Sequence, residues 1–278
     1  MKVIVADQAG VCFGVKRALD LVNKEAEKGG GLATLGPLIH NPQVVKALEE
    51  KGVRVVKSVE EAASGSIVMP SHGVPKDVLQ AAEDAGLRIV DATCPFVAVV
   101  HRKVEALARD GYTVVVVGDA GHSEVKAIVS AAGEGALVIS SAEEASRIDW
   151  SGKKVGIVSQ TTQTPERFGE IVGIIAARAR EIVAHNTICY ATHDRQTAAR
   201  ELAPQVEAMF VVGGRNSANT NRLADICRES GVPTYHIETA DEIRSEWVNG
   251  MHVVGLTAGA STPEWIIEEV KARLEGMN

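Results

Sequence analysis

The strongest constraint in this sequence is a pattern that recurs three times along it. Cys12, Cys94 and Cys189 are 82 and 95 residues apart, with 89 residues after the third. Counting 24 positions beyond each cysteine gives Gly36, Gly118 and Gly213, and each glycine ends or follows an apolar run, 32–35, 114–117 and 210–212. Counting 28 positions gives His40, His122 and Ser217. A later landmark also repeats. Residues 67–69 run into Ser71-His72-Gly73-Val74-Pro75, 155–158 into Thr161-Thr162-Gln163-Thr164-Pro165, and 253–256 into Gly259-Ala260-Ser261-Thr262-Pro263. Each reads as a strand, a small polar loop, and a proline that opens an amphipathic helix, where its missing N–H has no intrahelical partner anyway.

Such a unit alternates strands with helices and puts its polar loops at the carboxyl ends of the strands. Helices are expected over 14–28, 95–110, 193–202 and 263–274, with a shorter one over 124–131. Val114-Val115-Val116-Val117 is apolar on both faces, as a strand in a helix-covered parallel sheet must be. The expected fold is α/β, with three pseudo-repeated domains over 13–95, 96–188 and 189–278, the strand in 1–12 joining the last. Ligands of open α/β sheets bind beyond the carboxyl ends of the strands. Three domains that point those ends at one centre would bring the matched loops together there.

Composition narrows the classes of function. Apolar residues make up 45% and charged residues 23% of 278, a soluble globular balance. No apolar run has the length of a membrane span, and Met1-Lys2-Val3-Ile4-Val5-Ala6-Asp7 reads as a strand and not a signal peptide, so a cytoplasmic protein is expected. The net charge of -7 argues against a nucleic-acid footprint, and 4% aromatics against a stacking surface for bases or sugars. Four scattered cysteines do not make a disulfide framework; in a reducing compartment they are core residues, nucleophiles or metal ligands.

One thiol per repeat makes Cys12, Cys94 and Cys189 candidate ligands. Thiolates suit zinc or iron–sulfur clusters. Neither the C-x2-C pairs typical of zinc sites nor a ferredoxin-type run is present, and ligands this far apart in sequence suit a cluster held between domains. Three thiolates on a four-iron cluster leave one iron open. The competing reading, a small buried hydrophobe at each position, does not explain the shared offsets. Cys227 has no counterpart in the repeat and shares a helical face with Leu223 and Ile226, so it belongs to the core.

His40, His72 and His122 stand in polar loops just after strands, and Ser217, Asn219 and Ser261 occupy such loops in the third repeat. Hydrogen-bonding side chains near helix N-termini suit an anion such as phosphate. Glu124 follows His122 by two, and Thr161 and Thr162 follow a strand of the same repeat. A carboxylate beside hydroxyls can deliver protons; the alternative is a solvated acid at a helix start. Gly29-Gly30-Gly31 and Gly213-Gly214 form neither a dinucleotide fingerprint nor a Walker A loop.

Together these stretches resemble the 4-hydroxy-3-methylbut-2-enyl diphosphate reductase (LytB) family of the non-mevalonate isoprenoid pathway. The resemblance rests on Ala9-Gly10-Val11-Cys12-Phe13-Gly14-Val15, Gly36-Pro37-Leu38-Ile39-His40-Asn41, Ser71-His72-Gly73, Asp91-Ala92-Thr93-Cys94-Pro95 and Gly121-His122-Ser123-Glu124-Val125. It continues through Ser159-Gln160-Thr161-Thr162, Ile188-Cys189-Tyr190-Ala191-Thr192, Asn216-Ser217-Ala218-Asn219-Thr220 and 257–263, so it spans the chain. It implies a [4Fe–4S] cluster on Cys12, Cys94 and Cys189 at the middle of a three-lobed α/β protein. It implies diphosphate binding by His40, His72, His122, Ser217, Asn219 and Ser261, proton delivery by Glu124, and a hydroxyl of Thr161 beside the substrate alcohol. The implied reaction is reductive dehydroxylation to isopentenyl and dimethylallyl diphosphates, with two electrons from a ferredoxin or flavodoxin and two protons.

The chain departs from the family pattern at Ala218, at Ser123, and at His193-Asp194, none of them a cluster position. Other classes remain to be weighed. A cluster-dependent dehydratase acting on a small phosphorylated substrate would turn over without an electron donor. A non-catalytic anion-binding module with structural zinc would be colourless and stable in air. A nucleotide-binding regulator lacks its phosphate loop.

Overall fold

The computed structural model describes residues 1–62 and 65–277. Strand β1 (Lys2–Val5) and helix α1 (Phe13–Ala26) open the chain. Next come β2 (Leu32–Leu35), α2 (Pro42–Glu50), β3 (Val53–Val56), β4 (Ser66–Met69), α3 (Lys76–Asp84) and β5 (Arg88–Asp91). Helix α4 (Pro95–Arg109) leads into β6 (Thr113–Val117), α5 (Ser123–Ala132), β7 (Leu137–Ile139), α6 (Ala142–Arg147), β8 (Lys154–Ser159), α7 (Pro165–Ala176) and β9 (Glu181–Ala184). The last stretch holds α8 (Tyr190–Leu202), β10 (Ala208–Val212), α9 (Ala218–Glu229), β11 (Thr234–Ile237), β12 (Val253–Ala258) and α10 (Glu264–Glu275).

The strands form three parallel sheets of one topology, in the orders β3-β2-β4-β5, β7-β6-β8-β9 and β11-β10-β12-β1. The α/β class expected from the alternating pattern is the one observed. The third sheet takes its fourth strand from the N-terminus, with Lys2 opposite Val253 and Val5 opposite Leu256. The glycines of the repeat are equivalent in space as well as in sequence. Each stands one residue past the central strand and donates its N–H to the last carbonyl of the flanking strand: Gly36 to Val56 at 2.7 Å, Gly118 to Ile139 at 3.0 Å, and Gly213 to Ile237 at 2.9 Å.

Val115, Val116 and Val117 are fully buried because helices cover both faces of their sheet, with Val100 and Ile128 on one side and Trp150 and Ile171 on the other. The Trp150 indole N–H, also inside, donates to the Ala145 carbonyl at 2.8 Å, as a buried polar tip requires. The chain groups into two compact units, Met1–Lys16 with Ile39–Ala47 and Tyr190–Asn278, and Arg17–Leu38 with Leu48–Cys189. The first unit holds the β1-containing sheet; the second holds the other two.

Local boundaries differ from expectation in two ways. Helix α8 begins at Tyr190 and not at 193, directly after Cys189. Thr192, Arg195 and Gln196 are buried, so tertiary packing draws a polar stretch into the helix. Of the three prolines, only Pro165 lies inside its helix; Pro75 and Pro263 are N-caps with extended backbones, ψ 151° and 154°.

Candidate active site

The three cysteines occupy one structural position. Each follows the fourth strand of a sheet and immediately precedes a helix: Cys12 before α1, Cys94 as the N-cap of α4, and Cys189 before α8. Each donates its backbone N–H to the residue two positions past the third strand of that sheet or its neighbour: Cys12 to Ala260 at 3.1 Å, Cys94 to Ser71 at 2.9 Å, and Cys189 to Thr161 at 3.0 Å. All three are half-buried thiols; Cys227 is fully buried in the core beside Leu223 and Ile226. Burial pushes the Cys227 thiol up to about 12, which suits a core residue and not a ligand.

His40, His122 and Ser217 also share a position, five residues past the central strands β2, β6 and β10. His122 and Ser217 are the N-caps of α5 and α9. His122 Nδ1 accepts the N–H of Glu124 at 3.1 Å, and Ser217 Oγ that of Thr220 at 3.3 Å.

In the second unit the candidate residues form a connected series. Cys94 is bonded to Ser71, the neighbour of His72; the His72 and His122 rings meet edge to face, 6.5 Å between centroids. Beyond His122, Glu124 is buried in the first turn of α5. Its carboxylate accepts the backbone N–H of Thr161 at 2.6 Å and the Thr161 hydroxyl at 2.8 Å, and the Thr161 carbonyl receives Cys189. Burial pushes the Glu124 carboxyl up to about 7, against the two Thr161 hydrogen bonds that favour its charged form. The reading of Glu124 as a solvated helix-start acid fails, because the side chain is 3% exposed.

In the first unit, three strand-end loops close on one another. Ser261 Oγ donates to the His40 carbonyl at 3.2 Å. Gly214 lies so close that a Cβ there would stand 2.6 Å from the same oxygen, so only glycine fits. Burial holds the His40 imidazole below its usual range, which makes it a neutral ring. Asn219 is buried in the first turn of α9, and neither its amide nitrogen nor its amide oxygen has a hydrogen-bond partner among the described residues. An orphaned buried amide is costly, so a polar ligand is the natural partner.

Two further residues support these loops and were not singled out in the sequence. Arg195, buried in α8, donates at 2.5 Å to the carbonyls of Ala191 and Gly10, joining the helix after Cys189 to the loop before Cys12. Arg17 donates to the Thr93 carbonyl at 3.1 Å, next to Cys94. An arginine in a helix reads as a surface residue from sequence alone, and the polar run 192–196 gives no sign of its burial.

The electrostatics of the helix starts are selective. Acids are favoured in a first turn by the helix dipole, and α3, α5, α6, α7 and α10 carry them there. Helices α1, α2, α4, α8 and α9 carry none. Those five follow Cys12, His40, Cys94, Cys189 and Ser217. Acids are thus missing from all three cysteine helices, where an anionic sulfur would use the backbone N–H groups, whereas the helices after His72, His122 and Ser261 each carry one. Among the described residues, no three His, Cys, Asp or Glu side chains are grouped as ligands of a single metal ion.

Comparisons with known proteins agree in direction. The family model described as LytB protein matches residues 3–275. A Geotalea uraniireducens protein named 4-hydroxy-3-methylbut-2-enyl diphosphate reductase is 49% identical over 278 residues, covering 100% of this chain and 98% of its own. Its namesake from Geobacter sulfurreducens is 50% identical over 275 residues, covering 99% and 97%. A solved structure of (E)-4-hydroxy-3-methyl-but-2-enyl diphosphate reductase, described as the terminal enzyme of the non-mevalonate pathway, is 44% identical with a TM-score of 0.70 over 99% of both chains. The structure of a Plasmodium falciparum E-1-hydroxy-2-methyl-but-2-enyl-4-diphosphate reductase is 25% identical with a TM-score of 0.91, covering 96% of this chain and 86% of that one. With the match running nearly end to end and the repeat built as its motifs imply, the chain belongs to the LytB family.

Proposed function

We propose that this protein is a 4-hydroxy-3-methylbut-2-enyl diphosphate reductase, replacing the substrate's C–OH bond by C–H to give isopentenyl and dimethylallyl diphosphates. The names of its relatives support the reaction. The observation within this chain that carries it is the buried Glu124–Thr161 pair, with a carboxyl held near 7.

The cofactor in this reading is a [4Fe–4S] cluster on Cys12, Cys94 and Cys189. The donor set fits: three half-buried thiols, each at the start of a helix that lacks an acid in its first turn. When bound, such a cluster supplies electrons singly and, with three protein ligands, one coordination position the protein does not fill. The division into domains over 13–95, 96–188 and 189–278, with 1–12 joining the last and the cluster between them, belongs to the same proposal. It is supported by each sheet drawing its strands from one of those stretches.

The chain's own residues divide the work. His40, His72, His122, Ser217, Asn219 and Ser261 hold the diphosphate by hydrogen bonds from their side chains and from helix N-termini. The orphaned amide of Asn219 gains its partner there. Two electrons and two protons enter; one proton leaves with the hydroxyl as water and the other ends on carbon. Glu124, protonated near neutral pH, donates through the hydroxyl of Thr161, and its burial excludes the water that would otherwise hold its proton in solution. Electrons come from a ferredoxin or flavodoxin. Among the described residues no helix is long and apolar enough to cross a membrane, and four cysteines kept as thiols suit a reducing cytoplasm.

The deciding experiment compares turnover of the substrate by anaerobically prepared protein with and without an electron donor. Donor-dependent formation of both products supports the reading. Turnover without a donor would replace it by a dehydratase.

A further inference from the structure

In the second unit, a groove of about 470 Å³ lies between α4 and β9. Its polar lining includes Arg102, Lys103, His185 and Asp110. Lys103 Nζ lies 3.3 Å from His185 Nδ1, and no ion pair joins Arg102 or Lys103 to a carboxylate among the described residues. Burial and the Lys103 ammonium hold His185 below the usual imidazole range, so its ring is a neutral acceptor and the positive charge belongs to Lys103 and Arg102.

The same strip of α4 exposes large apolar side chains toward Cys94. Phe96 is 41% exposed and Val99 37%, two of six large hydrophobic side chains left open among the described residues. Along a helix rising 1.5 Å per residue, Val99 and Lys103 stand about 8 and 14 Å from Cys94. His185 is four residues before Cys189 on the other wall. The groove is therefore flanked by the segments that lead to two of the three cysteines.

We propose that this α4–β9 groove, from Phe96 to Lys103 with His185 opposite, is the docking surface for an acidic electron-carrier protein. The inference rests on the reductase reading, which requires electrons from outside the chain. Charge complementarity selects an acidic partner, because Lys103 and Arg102 lack carboxylates of their own. Phe96 and Val99 supply the apolar contact that a short-lived complex buries at its centre. The carrier's redox centre is thereby brought beside the chain segments of Cys94 and Cys189. Each encounter oxidises one carrier by one electron, and two encounters supply the pair that converts C–OH and two protons into C–H and water.

The test uses anaerobically purified holoenzyme and its Arg102→Glu/Lys103→Glu variant. Turnover is measured against concentration of an acidic ferredoxin and of a flavodoxin at low and high salt, and separately with dithionite-reduced methyl viologen, which needs no docking. Charge reversal is expected to raise KM for the protein donors about tenfold and to flatten its dependence on salt. Viologen-driven turnover should stay within about a factor of two of the parent's. Lys24→Glu, an exposed charge reversal on the last turn of α1, should change neither. If the double variant accumulates poorly, Arg102→Gln/Lys103→Gln should show a smaller rise of the same kind. An unchanged KM for both carriers, or an equal loss with viologen, would overturn the docking proposal. A parent without viologen-driven turnover would instead sink the reductase reading beneath it.

Discussion

Glu124 and Thr161 come from different strand-end loops of one sheet, and the threonine gives the carboxylate both its backbone N–H and its hydroxyl, at 2.6 and 2.8 Å. Those bonds favour the charged form, yet burial overrides them and leaves the carboxyl near 7. A group balanced there is protonated often enough to donate and is readily recharged.

Replacing Glu124 by Gln keeps the hydrogen-bonding shape and removes the proton. Turnover should fall about a hundredfold or more, while cluster content and binding of inorganic diphosphate stay close to the parent's. Activity near the parent's would move proton delivery to another residue.

The same raised value has a consequence for stability. The folded state holds a proton on Glu124 up to about 7, whereas the ordinary value is 4.5. Folding therefore takes up a proton between those values, and the advantage present below pH 4.5 is lost as pH rises through 7. The loss is on the order of 3 kcal/mol. Urea melts at pH 5, 6.5 and 8 should show Glu124→Gln gaining on the parent as pH rises; a gap that does not change with pH would contradict the burial argument.

Thr161→Val removes one of the two bonds that lower the Glu124 value. The alkaline limb of the pH–rate profile should move upward, with lower turnover at its plateau. A profile that keeps its shape and position would mean that the hydroxyl does not address the carboxyl during the reaction.

Asn219→Leu tests the orphaned amide. Diphosphate affinity should weaken about tenfold or more, whereas the protein should lose no stability and could gain about 1 kcal/mol, because a buried unpaired amide is removed. Calorimetric titration with inorganic diphosphate and a urea melt measure the two effects independently. Unchanged affinity would remove Asn219 from the diphosphate site.

The repeat was legible because its chemistry sits at strand ends, where spacing from a conserved geometry is rigid. Gly36, Gly118 and Gly213 make the same backbone bond in each sheet, so their common offset from the cysteines reflects one loop built three times. Val114–117 announced a central strand because both faces are covered. The start of α8 was not legible: Thr192, Arg195 and Gln196 look solvent-facing, and their burial comes from packing against residues far away in sequence, such as Gly10. The protonation of Glu124 was also hidden. Its position in a helix start is ordinary for an acid, and only the tertiary burial distinguishes it.

The central claim, one cluster on three matched cysteines, is met most directly by assaying iron and acid-labile sulfide per chain in protein purified without oxygen. The parent and Cys227→Ala should each carry about four of both, with a brown absorbance that air bleaches, and Cys94→Ser should lose most of it. One zinc per chain with no sulfide, persisting after reconstitution under reducing conditions, or equal losses in Cys94→Ser and Cys227→Ala, would contradict it.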